Sequence, residues 1–112
     1  MVSKELIAAS TKSIILGVLA QGESYGYEII QRVRSQSDGV LCWADGMLYP
    51  VLHRMERDGL IESYWKEIET GRKRKYYTLT AKGKESLVHE QQQWMTVHQT
   101  LMSIWKTKTA TS

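Results

Sequence analysis

Apolar residues recur at helical spacing in three successive stretches before the period changes. Leu6, Ile7, Ile14, Ile15, Val18 and Leu19 line one side of a segment from Lys4 to about Gln21, which Gly22 ends. The spacing predicts a first helix, buried along most of its length. A second, from Tyr25 to about Gln36, carries Tyr25, Ile29, Ile30 and Val33 on its apolar side, with Ser24 as the expected N-cap. Gly26 lies inside it at a cost of about 1 kcal/mol relative to Ala, and close approach of a neighbouring helix is the expected reason. Ser35 to Ala44 then reads as a loop, turning at Ser37, Asp38 and Gly39 and ending apolar at Val40, Leu41 and Trp43.

The third helical stretch has two unlike faces. It runs from Asp45, an expected N-cap, toward Gly59, which sits where a left-handed residue closes a helix. Leu48, Val51, Leu52 and Met55 form one apolar stripe. Opposite lie Gly46, Pro50, His53 and Arg57, flanked by Tyr49 and Arg54, an outward face that is aromatic and cationic. Pro50 falls just past the first turn, so either the helix starts later than Asp45 or one backbone hydrogen bond is lost.

After Leu60 the period becomes two. Ile61, Ser63 and Trp65 alternate with Glu62, Tyr64 and Lys66, Thr70 and Gly71 supply a turn, and Lys75 to Thr80 is rich in aromatic and β-branched residues. The expected product is a β-hairpin with Arg72, Lys73, Arg74 and Lys75 at a basic tip, and with one of Tyr76 and Tyr77 in the core. Thr80 caps a last helix reaching about Lys106. Along it Leu87, Trp94 and Leu101 repeat at sevens, as do Val88, Met95 and Met102, with Gln91, His98 and Trp105 filling the seam. So wide a stripe exceeds what one small domain needs, and part of it reads as a subunit interface. Thr107 to Ser112 is expected to fray. The division is therefore 1–80 as a compact unit ending in the hairpin, 81–106 as a dimerisation helix and 107–112 as a tail.

Composition narrows the function. The chain has 112 residues, 42% hydrophobic, enough for one modest core. The net charge of +3 is small, but four consecutive cations at 72–75 suggest a polyanion met at one place. One cysteine, Cys42, and the lack of a long apolar run or signal-like start lead us to expect a cytoplasmic protein without membrane contact. His53, His89 and His98 lie on different elements and Cys42 has no ligand at metal spacing, so no metal and no cofactor are expected. No nucleophile–base pair or phosphate-cradling glycine loop is visible, and no catalytic residue is assigned.

Three helices followed by a basic hairpin is the order of a winged helix-turn-helix, mainly α with a small β-hairpin. The segments ILGVLAQGESYGYEII ending at Ile30, LYPVLHRMERDGLI (Leu48 to Ile61) and GRKRKYYTLTAKG (Gly71 to Gly83) resemble the signatures of the PadR family of bacterial transcriptional regulators, in its short-tailed form with a single helix after the wing. The resemblance implies a homodimer built on the last helix with help from the first, a near-palindromic operator in double-stranded DNA, and usually repression of a nearby gene. It assigns DNA reading to Met47, Tyr49, Pro50, His53 and Arg54, and wing contacts to Arg72, Lys73, Arg74 and Lys75. Arg57 lies on the same outward face, where a phosphate or Asp58 equally claims it. Met47 stands where relatives most often have Ser or Thr; its thioether offers a contact to a thymine methyl instead of a hydrogen bond.

Two readings of Trp94 stand side by side. A tryptophan on a helical stripe packs against a partner subunit, or lines a flat apolar slot with Met95, Met102 and Val88 as adaptable walls. Some short-tailed PadR relatives hold drugs between interface tryptophans, which implies a planar aromatic effector for this chain. The rival to the whole assignment is a winged-helix protein-interaction module, whose mark would be a reading face without cations.

Overall fold

A computed structural model of the chain describes the backbone of residues 1–110 and the side chains of residues 1–106. The elements run α1 (Lys4–Ala20), β1 (Ser24–Tyr25), α2 (Gly26–Gln36), α3 (Asp45–Arg57), β2 (Ile61–Glu67), β3 (Lys73–Leu79) and α4 (Ala81–Ala110). The architecture is mainly helical with one small antiparallel sheet, in the order β1-β3-β2.

The predicted stripes meet in one core. Ile15, Leu16 and Leu19 of α1, Ile29 and Val33 of α2, and Leu48, Leu52 and Met55 of α3 are all buried there. Trp43 from the loop before α3, Leu60, Ile61, Tyr77 and Leu79 complete it. At roughly 1.5–3 kcal/mol for each large apolar side chain removed from water, this cluster is the main source of stability.

Local chemistry sets the helix ends. Ser3 caps α1, its Oγ accepting the Leu6 N–H at 3.2 Å. After α3, Gly59 adopts φ +79°, while the Leu60 N–H reaches the Met55 carbonyl and the Gly59 N–H that of Glu56, both at 3.0 Å. That pair of bonds is the Schellman closure, and it turns the chain directly into β2.

Ser24 is not the expected N-cap of α2. It is buried in a two-residue strand, paired with Tyr77, and its hydroxyl donates to Glu28 at 2.6 Å. Tyr25 takes the cap position with no side-chain hydrogen bond, so the sheet has three strands and Tyr25 belongs to it rather than to the apolar side of α2. Asp45 is likewise not a cap but the first residue of α3, behind Ala44; its carboxylate there still favours the positive end of the helix dipole. Since α3 starts at Asp45, Pro50 lies inside it and the bond to the Gly46 carbonyl is lost. Gly46 and Pro50 are both exposed, so water can reach the freed carbonyl and the loss is moderated.

The basic run also departs from expectation. β3 begins at Lys73, so Lys73, Arg74 and Lys75 are paired in the strand, opposite Glu67, Lys66 and Trp65. The tip is the turn Ile68–Arg72, closed by Ile68 N–H to the Arg72 carbonyl at 2.8 Å with Gly71 at φ +81°. Strand alternation therefore sends the cations to both faces of the wing instead of gathering them at its end. Tyr77 is the core tyrosine and Tyr76 lies on the opposite face.

α4 starts as expected, with Thr80 Oγ1 accepting the Gly83 N–H at 3.0 Å, and continues past Lys106 to Ala110. Of the tail expected at 107–112, the side chains of 107–110 and all of 111–112 lie outside the described residues. Gly83 is where α4 touches the core: a Cβ there would stand 3.0 Å from the Leu60 carbonyl carbon and collide with its oxygen. Leu87 packs half-buried on the core, and Trp94 is half-buried; from Met95 to Lys106 every side chain is exposed.

Candidate nucleic-acid interface

α3 holds its apolar stripe in the core and so turns its other face outward. Pro50, His53, Arg54 and Arg57 are exposed, and the Tyr49 ring lies 6.3 Å from that of His53. Arg57 approaches Asp58 at 3.8 Å with both side chains more than half exposed, an ion pair too solvated to neutralise it firmly. Met47 differs from expectation. Four residues before Val51, it sits at the edge of the apolar stripe and packs half-buried against the core, which limits what it offers to a groove.

Tyr49 does two things. Its hydroxyl end lies against Gly26 so closely that a Cβ there would stand 2.8 Å from Cζ and overlap the hydroxyl oxygen. This contact, between α3 and the start of α2, is the close approach expected of a glycine inside α2. It also sets Tyr49 into the wall of an open groove of about 440 Å³ between the helices and the wing. Tyr25 contributes from β1, Gly26 and Tyr27 from the start of α2, and Trp65, Arg72, Arg74, Lys75 and Tyr77 from the wing. Neither Tyr27 nor Trp65 stands out as a site residue in the sequence, although both are exposed aromatics, 63% and 64% accessible.

The wing's outer face is an aromatic ladder carrying charge. Tyr25 meets Tyr76 edge-on at 5.4 Å and Tyr76 stacks on Tyr64 at 6.1 Å. Arg74 lies over Tyr25 at 4.0 Å and Lys66 over Tyr76 at 5.1 Å. Glu23 joins this face to the α1–α2 turn, accepting the Tyr64 hydroxyl and pairing with Lys66 at 3.7 Å. That hydrogen bond to Glu23, helped by partial burial, pushes the Tyr64 hydroxyl up to about 12. Tyr77 is also raised, chiefly by burial.

The exposed side of α4 presents a different surface. Val88, Met95, Val97, Leu101, Met102, Ile104 and Trp105 are each 39–59% exposed; Gln91 and His98 are exposed among them. Trp94 is tied to its own chain: its indole N–H donates to Ser13 Oγ at 2.8 Å, and Ser13 donates to Glu90. Beside it Ser13, Leu87, Glu90, Gln91, Trp94 and Met95 line a hollow of about 390 Å³. Among the described residues no group of three or more His, Cys, Asp or Glu is placed to hold a metal ion, and no helix is long and apolar enough to cross a membrane.

Residues 15–89 match the model of the transcriptional regulator PadR-like family. The chain belongs to the PadR family. That span takes in most of the winged unit and the start of α4. Among relatives of this PadR-family chain, an uncharacterised protein of Lysinibacillus sphaericus is 34% identical over 97 residues, covering 87% of this chain and 89% of that one. A transcriptional regulator from Clostridium thermocellum superposes with a TM-score of 0.82 at 31% identity, covering 90% of this chain and 95% of that one. Bacillus subtilis PadR, solved in complex with operator DNA, superposes with a TM-score of 0.63 at 30% identity over 70% of this chain and 45% of the longer protein.

Proposed function

We infer that this PadR-family transcriptional regulator binds operator DNA as a homodimer and represses a nearby gene. The observation that carries the reading is the groove between α3 and the wing. Arg72, Arg74 and Lys75 line it, and among the described residues none of the three has a carboxylate within 4 Å. The exposed edge of α3, from Tyr49 through Pro50, His53 and Arg54 to Arg57, is suited to a major groove, with the cations on flanking phosphates. The solved operator complex of Bacillus subtilis PadR supports the same use of the shared winged unit.

The apolar side chains on the far half of α4 support the dimer, since a second copy would bury them together with exposed Leu6 of α1. Two copies related by a two-fold axis present two copies of α3, which is what half-sites about 34 Å apart require. The hollow beside Trp94 supports a planar aromatic effector, with the adjacent Met95 as an adaptable wall. Such a compound releases DNA only as far as it binds the operator-competent and incompetent dimers unequally.

Salt dependence tests the DNA reading. Affinity for a duplex from the gene's own upstream region should fall steeply with ionic strength. Replacing Arg72 and Arg74 together by Ala should flatten log K against log salt by about 0.9 for each phosphate left without its cation. A shallow slope in the native protein would reject it. For the effector, planar dyes or phenolics titrated against tryptophan fluorescence should bind; binding unaltered in Trp94→Ala would remove the assignment.

A further inference from the structure

Four neighbouring cations on the wing look interchangeable in sequence, but their surroundings differ sharply. Lys73 faces Glu67 across the strand pair, and Lys75 faces Trp65 with its ammonium 5.8 Å from the Tyr77 ring, on the face that continues into the core. Arg72 belongs to the exposed tip. Arg74 is directly opposite Lys66, a like-charge pair that would normally push both side chains into solvent. They separate instead. Lys66 goes to Glu23 and the Tyr76 ring, while Arg74 turns toward β1 and lays its guanidinium 4.0 Å over Tyr25. Arg74 is half-buried, lines the groove shared with Tyr49, and has no carboxylate within 4 Å among the described residues.

A guanidinium stacked on an aromatic ring keeps its N–H edge available, and that planar fork matches two phosphate oxygens. Stacking also removes rotamer freedom before any ligand arrives, so less is lost on binding. Tyr25 can serve this way because β1 exists at all: pairing with Tyr76 in the sheet, and the edge-on contact of the two rings, fix the tyrosine beneath the arginine.

We propose that Tyr25 is a positioning residue that holds the Arg74 guanidinium for one DNA phosphate, making Arg74 the dominant cation of the wing. This rests on the DNA-binding reading above. Arg74 then counts for more than Arg72, Lys73 or Lys75, and its contribution depends on a residue outside the wing hairpin.

The test is a double-mutant cycle on the full-length protein, read as binding to a fluorescein-labelled mixed-sequence duplex across a salt series. Arg74→Ala and Tyr25→Leu should each weaken binding several-fold and each lower the salt slope by about 0.9. The double variant should be no weaker than Arg74→Ala alone, and Tyr25→Phe, which keeps the ring, should bind within about twofold of the native protein. Losses that multiply, or an unchanged slope in Tyr25→Leu, overturn the proposal while leaving DNA binding intact. Absence of salt-dependent binding by the native protein to this duplex and to the upstream duplex rejects both. Should Tyr25→Leu fail to fold, the native protein decides: the Arg74 Nε–H resonance must move as duplex is added, and a resonance unmoved at saturation overturns the assignment.

Discussion

The winged head and the far half of α4 are built from similar apolar chemistry and use it oppositely. In the head Ile15, Leu16, Ile29, Leu48 and Leu52 are inaccessible to solvent. Beyond Trp94, Val97, Met102, Ile104 and Trp105 remain about half exposed, on a helix that carries the molecule out to a length of 63 Å against 29 and 21 Å in the other directions. A stripe of this kind in a lone chain is an unfinished core. The head closes on itself, whereas the far half of α4 leaves its apolar side chains in solvent. The homodimer proposed above would cover the second region and leave the first as it is.

Substitution should separate the two regions most strongly in their response to concentration. Leu52→Ala removes a fully buried side chain of the head and is expected to cost about 2–5 kcal/mol in denaturant unfolding, at every protein concentration. Leu101→Glu with Met102→Glu should weaken self-association by about 3 kcal/mol in sedimentation equilibrium, while the head keeps its near-ultraviolet dichroism. If the paired glutamates instead unfolded the head, the two regions would not be independent.

A smaller effect sharpens the contrast within the head. A Cβ on Gly26 meets the far end of a flexible side chain, Tyr49, so Gly26→Ala should change stability by less than about 1 kcal/mol as the ring moves aside. The displaced ring leaves the groove wall, and DNA affinity should fall about fivefold, the worth of roughly one hydrogen bond. Equal losses in thermal stability and in binding would place Tyr49 in packing alone.

The smallest expected effect is alkaline. The Tyr64 hydroxyl is held at about 12, against an ordinary 10.0, by its hydrogen bond to Glu23. The fold thus favours the neutral phenol: its contribution is complete below pH 10 and is lost as pH rises through about 12. Ultraviolet titration of tyrosinate should show a late component that Tyr64→Phe reduces by one tyrosine, leaving the buried Tyr77; an unchanged amplitude would mean that the Glu23 contact is not formed in solution.

How much of this was legible in the sequence depended on the range of each signal. Helical and strand periods place α1, α3, β2 and the start of α4, because Leu48, Leu52 and Met55 or Ile61 and Ser63 repeat often enough to define a face. β1 is invisible, since Ser24 and Tyr25 make only two pairs with β3 and no period exists in two residues. Without β1 there is no Tyr25–Arg74 stack, and the four cations then read as one tip. Met47 lies on the boundary between two faces, where one residue of helix phase decides burial. Trp94 reads in the sequence either as packing against a partner or as the wall of an aromatic slot, but its bond to Ser13 joins positions 81 residues apart and leaves no local trace.

The contact between the end of α3 and the start of α4, on either side of the wing, bears on this division. Thr80 donates its N–H to the Leu60 carbonyl at 3.1 Å and its hydroxyl to the Gly59 carbonyl at 2.6 Å. Lys82 reaches the Asp58 carbonyl at 2.8 Å, and Gly83 lets the backbone of α4 rest on Leu60. The end of α3 and the root of α4 are thus riveted at one elbow. Together with the Trp94–Ser13 bond to α1, these contacts make the first half of α4 a strut against which the end of α3 is set.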